Sequence, residues 1–91
     1  KTLLAPPPHR RTFLIEAEAE HDVLLRILAP FAVQGAPILS LEAEQACELT
    51  VARLEVGGLT HALAERLAEK LRALPVVRSV GLGWRVALAA A

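Results

Sequence analysis

From Arg11 to Ala19 the apolar residues Phe13, Ile15, Ala17 and Ala19 alternate with Thr12, Glu16 and Glu18, the period-two pattern of a half-buried strand that only Leu14 breaks. Glu20-His21-Asp22 ends the strand, and Asp22 is placed to cap a run in which Val23, Leu24, Ile27, Leu28 and Phe31 fall on one helical face. Pro30 lies inside that run, so a kink or a frayed last turn is expected before Gly35 stops the helix. Ile38 to Ala43 then reads as a second strand, with Leu39, Leu41 and Ala43 on one side and Ile38, Ser40 and Glu42 on the other. Glu44-Gln45-Ala46-Cys47 is expected to be a turn, although it lacks the Asn-Gly or Gly-Gly pair of a tight hairpin.

Glu48 to Val56 resumes an extended pattern rich in β-branched residues, and Gly57-Gly58 punctuates its end. Thr60 is a good N-cap for a second helix, in which Leu63, Leu67, Leu71 and Leu74 recur at helical spacing while Glu65, Arg66, Glu69, Lys70 and Arg72 take the wet side. Pro75 stops it. Val76 to Val86 closes as a fourth strand, with Val80, Leu82, Trp84 and Val86 alternating against Ser79, Gly81, Gly83 and Arg85.

The order βαββαβ predicts an α+β fold of the ferredoxin-like plan: a four-stranded antiparallel sheet with two helices on one face. The other face has no cover of its own. Leu14, Ile38, Leu49 and Val51 are left over once the core positions are assigned, so pairing through a sheet face or edge is expected, giving a homodimer or a higher homo-oligomer. Residues 1–9, with Pro6-Pro7-Pro8, read as a stiff, disordered leader outside the fold; the domain spans 10–86, and 87–91 read as a frayed tail.

Composition narrows the function. A chain of 91 residues is one domain's worth and leaves no room for a catalytic domain beside a regulatory one. Its hydrophobic fraction of 54% is higher than a core this small can hide, which again argues for a partner surface. Ten Lys and Arg balance ten Asp and Glu, so no net field draws the protein to nucleic acid or to an anionic membrane. Charges or prolines interrupt every apolar run short of a membrane span. Cys47 is the single cysteine, which excludes an internal disulfide and reads as a small buried hydrophobe in a reducing, cytoplasmic setting.

Site chemistry is sparse. Base stacking on the sheet would need aromatics on the first and third strands, and only Phe13 is offered. His9, His21 and His61 are scattered without ligand spacing, and one cysteine cannot make a metal-transfer pair, so no metal or cofactor is called for. Ser40, Ser79 and Cys47 lie in no nucleophile motif, and alternation accounts for Glu16 and Glu18 as the wet side of a strand. Gly81-Leu82-Gly83 is too short for a phosphate loop and is expected to mark a close approach by a neighbouring group. These readings make the chain non-catalytic.

One resemblance goes further. The stretch Ala19-Glu20-His21-Asp22-Val23-Leu24, followed by Arg26, Phe31 and Gln34-Gly35-Ala36-Pro37-Ile38-Leu39-Ser40-Leu41, aligns without a gap on a family pattern. In that pattern Asn-Glu-Pro-Gly-Val-Leu precedes a helix with an Arg and a late Phe, and Arg-Gly-Phe-Asn-Ile-x-Ser-Leu follows. Leu74-Pro75-Val76-Val77-Arg78-Ser79-Val80 matches the family's entry to its last strand. Residues 11 to 86 thus resemble an ACT domain, most similarly those of the small regulatory subunits of acetolactate synthase. The resemblance implies an amino-acid effector site at a dimer interface, carried here by Glu20, His21, Asp22, Val23, Gly35, Pro37 and Ile38. It also implies a catalytic large subunit as partner and a role in branched-chain amino acid biosynthesis.

The departures bear on the ligand. Asp22 stands where the family has Gly and adds a negative charge, while Pro37 stands for Asn and removes an N–H donor; both changes weaken carboxylate binding. Two function classes follow: an allosteric, amino-acid-responsive regulatory domain, or a structural self-association module that has lost its ligand.

Overall fold

The computed structural model describes residues 10–84. They form β1 (Arg11–Glu18), α1 (Val23–Gln34), β2 (Ile38–Ala46), β3 (Leu49–Val56), α2 (His61–Arg72) and β4 (Val77–Trp84), in one four-stranded antiparallel sheet of order β2-β3-β1-β4. The βαββαβ plan read from the sequence is the plan observed. The leader assigned to residues 1–9, with His9, the end of the fourth strand read at residues 85–86 and the tail assigned to 87–91 lie outside the described residues.

β1 is central because alternate residues of it can be buried from both flanks. Phe13, Ile15 and Ala17 are fully buried, and they lie opposite Leu54, Ala52 and Thr50 of β3. Against this face α1 lays Val23, Ile27 and Phe31, and α2 lays Ala64, Leu67, Ala68 and Leu71. Phe13 and Phe31 meet edge to face, with centroids 4.9 Å apart and ring planes at 83°. Leu63, Leu67 and Leu71 fall in α2 as read from the sequence, whereas Leu74 lies beyond its end at Arg72, and Arg72 ties that helix to β4 by donating from Nη2 to the Val80 carbonyl at 3.1 Å.

The two helices begin differently. Thr60 has extended backbone (φ −73°, ψ 165°), and its hydroxyl accepts from the Leu63 amide at 3.2 Å, as expected of an N-cap. Asp22 does not cap, contrary to expectation: with φ −105° and ψ 15° its side chain points away from the first-turn amides and pairs with Arg26, Oδ2 to Nε, at 3.1 Å. Pro30 neither frays nor ends α1, which continues to Gln34. A buried proline neighbour such as Phe31 recovers through packing what the missing hydrogen bond loses, about 3 kcal/mol in an isolated helix. Gly35, at φ 76°, then closes the helix: its amide donates to Ala32 and the Ala36 amide to Phe31.

Four further expectations are corrected. β2 extends through Ala46, and the turn is only Cys47-Glu48, because Gln45 and Ala46 pair with Thr50 and Leu49. A bulge between Ile38 and Ser40 makes Leu39 the extra residue, so Ile38, opposite Val56, lies on the same side as Leu41 and Ala43. Cys47 is exposed rather than buried, since the hairpin tip lies beyond the helices; its backbone takes a positive φ of 56°. Gly81 and Gly83 admit no close neighbour: a Cβ on Gly81 would meet Leu14 at an ordinary 3.8 Å and one on Gly83 would meet nothing within 4 Å. The tight glycine is Gly57, whose added Cβ would lie 3.1 Å from Leu39 Cδ1.

Candidate functional site

β1 ends beside the start of α1, and the long β2 runs past both, so a hollow opens where the three meet. It has a volume of about 460 Å³. The β1–α1 turn contributes Ala19, Glu20 and His21; the first turn of α1 contributes Val23 and Leu24; Ala43, Glu44 and Gln45 come from β2 and Thr50 from β3. Ala43 and Gln45 lie opposite Ala52 and Thr50, on the helix side of the sheet, which is why they reach the hollow. Thr50 is 5% exposed, and its hydroxyl has no hydrogen-bond partner among the described residues.

The start of α1 supplies donors. The Val23 amide is used by the Glu20 carbonyl at 3.1 Å and the Arg26 amide by the Asp22 carbonyl at 3.2 Å. The amides of Leu24 and Leu25 are left without a side-chain cap, as Asp22 is turned to Arg26. That ion pair changes the meaning of the aspartate, because its charge is balanced within its own helix turn. Such an open helix start carries a partial positive charge suited to a carboxylate.

Of the residues the sequence pointed to, Glu20, His21 and Val23 line the hollow, and Asp22 stands in the same turn. Gly35, Pro37 and Ile38 do not join them within one chain. They lie at the other end of α1, a helix of 12 residues and hence about 18 Å long. There Pro37 offers only its carbonyl, which accepts from the Gly57 amide at 3.0 Å. Sequence reasoning missed Ala43, Glu44, Gln45 and Thr50, since it ended β2 at Ala43; the alternation continuing through Gln45 was the available signal.

β2 itself is the other notable surface. All nine of its residues are exposed, including Ile38, Leu39 and Leu41, and as an edge strand it has β3 on one side only. The open face of the sheet carries Leu14, 49% exposed, and Val51, with Glu42, Glu44 and Arg53 around a shallower hollow of about 630 Å³. Elsewhere on that face Glu16 accepts from the Ser79 hydroxyl at 3.3 Å, and Arg78 approaches Glu18 at 3.7 Å, the wet-side roles expected of these acids. Among the described residues no group of His, Cys, Asp or Glu is placed to hold a metal ion, and no helix is long and apolar enough to cross a membrane.

The sequence profile of the ACT-like domain matches residues 8–88, most of the chain. The chain belongs to the ACT-like domain family. ACT domains are typically regulatory modules. Among solved structures, this ACT-like domain is similar to the ACT domain from the GTP pyrophosphokinase of Chlorobium tepidum, with a TM-score of 0.71 at 15% identity, over 80% of this chain and 95% of that one. It is also similar to the C-terminal domain of the MgtC protein from Mycobacterium tuberculosis, with a TM-score of 0.69 at 15% identity, covering 85% and 87%. GqqA, described as a novel type of quorum quenching acylase, matches with a TM-score of 0.62 at 21% identity, over 93% of this chain but 47% of its own length. At these identities the likeness is one of fold. A search of curated proteins finds no match.

Proposed function

We propose that this ACT-like domain is a non-catalytic regulatory domain that binds an amino acid in a site completed by a second copy of the chain. The observation that carries the reading is the placement of the hollow at one end of an unpaired edge strand. β2 spans about 26 Å from Ile38 to Ala46 at the rise of an extended strand. Two β2 edges paired antiparallel about a twofold axis near Glu42 would set the Ile38 end of one chain against the Ala46 end of the other. Gly35, Pro37 and Ile38 of one copy would then close over Glu20, His21 and Val23 of its partner, which is how residues about 18 Å apart in one chain can serve one site. The exposed Ile38, Leu39 and Leu41 favour such pairing, because it removes them from water together with the unpaired backbone groups of the edge.

In this site the ligand carboxylate faces the open amides of α1 and its ammonium faces the carboxylate of Glu20. The Asp22–Arg26 pair weakens the case for a module that has lost its ligand, since it balances the charge that stood against carboxylate binding. The regulated partner is a separate catalytic chain, and the resemblance to the small subunits of acetolactate synthase makes the large chain of that enzyme the first to try.

Sedimentation velocity over a range of concentrations tests the assembly. A dimer is expected for the native chain and a folded monomer for Leu41→Lys, which places charge on the edge without touching the core. A native chain that stays monomeric at hundreds of micromolar would remove the shared site. Thermal melting with a panel of amino acids tests the ligand, since saturation at 100 times Kd adds about 2.7 kcal/mol to the stability of a binding-competent fold.

A further inference from the structure

We infer that the outward side of α1 is a second interface between copies of this chain, formed by two α1 helices packed antiparallel about Ala29. Leu25, Ala29 and Val33 recur every fourth residue and form one ridge along the helix, about 200° round from the buried ridge of Val23, Ile27 and Phe31. Leu25 is 71% exposed and Val33 83%, the highest values among the large apolar side chains described. Arg26 is the one charged residue of α1, and Asp22 neutralises it at 3.1 Å. α2 shows what a helix of this fold carries where water covers it: Glu65, Arg66, Glu69 and Lys70 are all exposed on its outward side. An outward ridge without charge belongs to a helix that is covered on that side. Pairing of β2 edges does not reach it. The side of α1 nearest β2 holds Leu24, which shares the hollow with Ala43 and Gln45, and Leu25 lies about 100° further round.

Charge selects the second copy as the occupant. The other broad surfaces of the chain carry ions that an uncharged ridge would strip of water: Glu16, Glu18, Glu42 and Glu44 on the open face of the sheet, and the wet side of α2. A lipid surface is no better matched, since a helix that lies on a membrane carries several Lys and Arg beside its apolar side, and α1 has only the paired Arg26. The ridge does fit itself. Its large–small–large order is symmetric about Ala29, so a twofold axis there sets Leu25 of one copy against Val33 of the other. The two alanines meet on the axis and let the backbones approach closely. One contact of this kind is small. A 12-residue helix is about 18 Å long, and a strip of that length falls well short of the roughly 800 Å² per partner of a stable interface. The α1 contact is therefore the weaker of the two interfaces; it does not depend on the edge pairing, and it joins edge-paired dimers at higher concentration.

Cross-linking of the full chain reads so weak a contact. Cys47 is the single cysteine, so in a Cys47→Ser background an introduced cysteine is the only thiol. Ala29→Cys and Glu65→Cys, the latter on the wet side of α2, are oxidised with copper phenanthroline, and the disulfide-linked dimer is followed on non-reducing gels. Ala29→Cys is expected to cross-link at least about tenfold faster than Glu65→Cys, the margin given by about 1.4 kcal/mol of apolar contact. Adding Leu25→Glu and Val33→Glu, two exposed positions that leave the core alone, should bring the rate down to that of Glu65→Cys with the circular dichroism spectrum unchanged. Adding Leu41→Lys instead should leave the cross-link in place, which separates this interface from the β2 edge. Equal rates for Ala29→Cys and Glu65→Cys would overturn the inference, and so would a fast cross-link indifferent to Leu25→Glu and Val33→Glu. Flotation of the native chain with phosphatidylcholine vesicles, lost on Leu25→Glu, would overturn it too by assigning the ridge to lipid.

Discussion

Replacing Asp22 by Ala should lower stability by an amount that disappears in salt, whereas replacing Thr60 by Ala should lower it by an amount that salt leaves in place. Both residues precede a helix, and the structure gives them different work. The Thr60 hydroxyl holds the Leu63 amide at 3.2 Å, and losing such a cap costs about 1 kcal/mol. Asp22 instead meets Arg26 at 3.1 Å, with the two side chains 35% and 46% exposed. Coulomb attraction at that distance is about 1.3 kcal/mol in bulk water. Holding two mobile side chains together reduces exposed pairs of this spacing to about 0.3–0.5 kcal/mol, with a similar amount from the helix dipole. Both contributions are screened in 1 M salt, where the Debye length is about 3 Å. Urea unfolding at 0.05 and 1 M NaCl measures this directly: with a slope near 1 kcal/mol/M, Thr60→Ala should shift the midpoint by about 1 M at both salts. Asp22→Ala should approach no shift at the higher one. Asp22→Ser should behave like Asp22→Ala, because a backbone at ψ 15° cannot aim a hydroxyl at the third amide. An Asp22→Ala loss equal to that of Thr60→Ala and indifferent to salt would show that Asp22 caps α1 after all.

Two further substitutions probe the fold that holds the site. Phe31→Ala removes a fully buried ring and its edge-to-face contact with Phe13, and should cost about 3–5 kcal/mol by urea unfolding; a loss below about 1.5 would mean that α1 is not anchored on β1 through this pair. Gly35→Ala should cost about 1 kcal/mol because residue 35 holds φ 76°, whereas Gly57→Ala combined with Leu39→Ala should cost less than Leu39→Ala alone. In that pair Leu39 Cδ1 is what crowds residue 57, so the opposite order of stabilities would show backbone strain at Gly57 instead.

Much of the architecture was legible because burial imposes its period on the chain. β1 alternates since one of its faces meets two helices, and α2 shows leucines at helical spacing since it lies on the sheet along its whole length. The strand and helix order, the Thr60 cap and the stop at Gly35 all follow from residues within a few positions of one another. Where the sequence misled, the deciding partner lay far along the chain. β2 is an edge strand exposed throughout, so its alternation carries no burial signal, and its true end is set by Gln45 and Ala46 pairing with Thr50 and Leu49. The bulge that turns Ile38 to the helix side is likewise a property of its register with β3. Cys47 looked like core by residue type and is exposed by position.

The family, the order of the six elements and most of the core were legible along the chain, because local propensity and hydrophobic period are written in neighbouring residues. Only the tertiary structure decided where the candidate site lies. It drew Glu20, His21 and Val23 together with Glu44, Gln45 and Thr50, residues more than twenty positions away, by laying a long β2 past the start of α1. It also separated Gly35, Pro37 and Ile38 from that turn, because a rigid 12-residue helix keeps its two ends apart. The partner of Asp22 was likewise decided by its backbone angles and by Arg26, one helical turn away, which balances its charge.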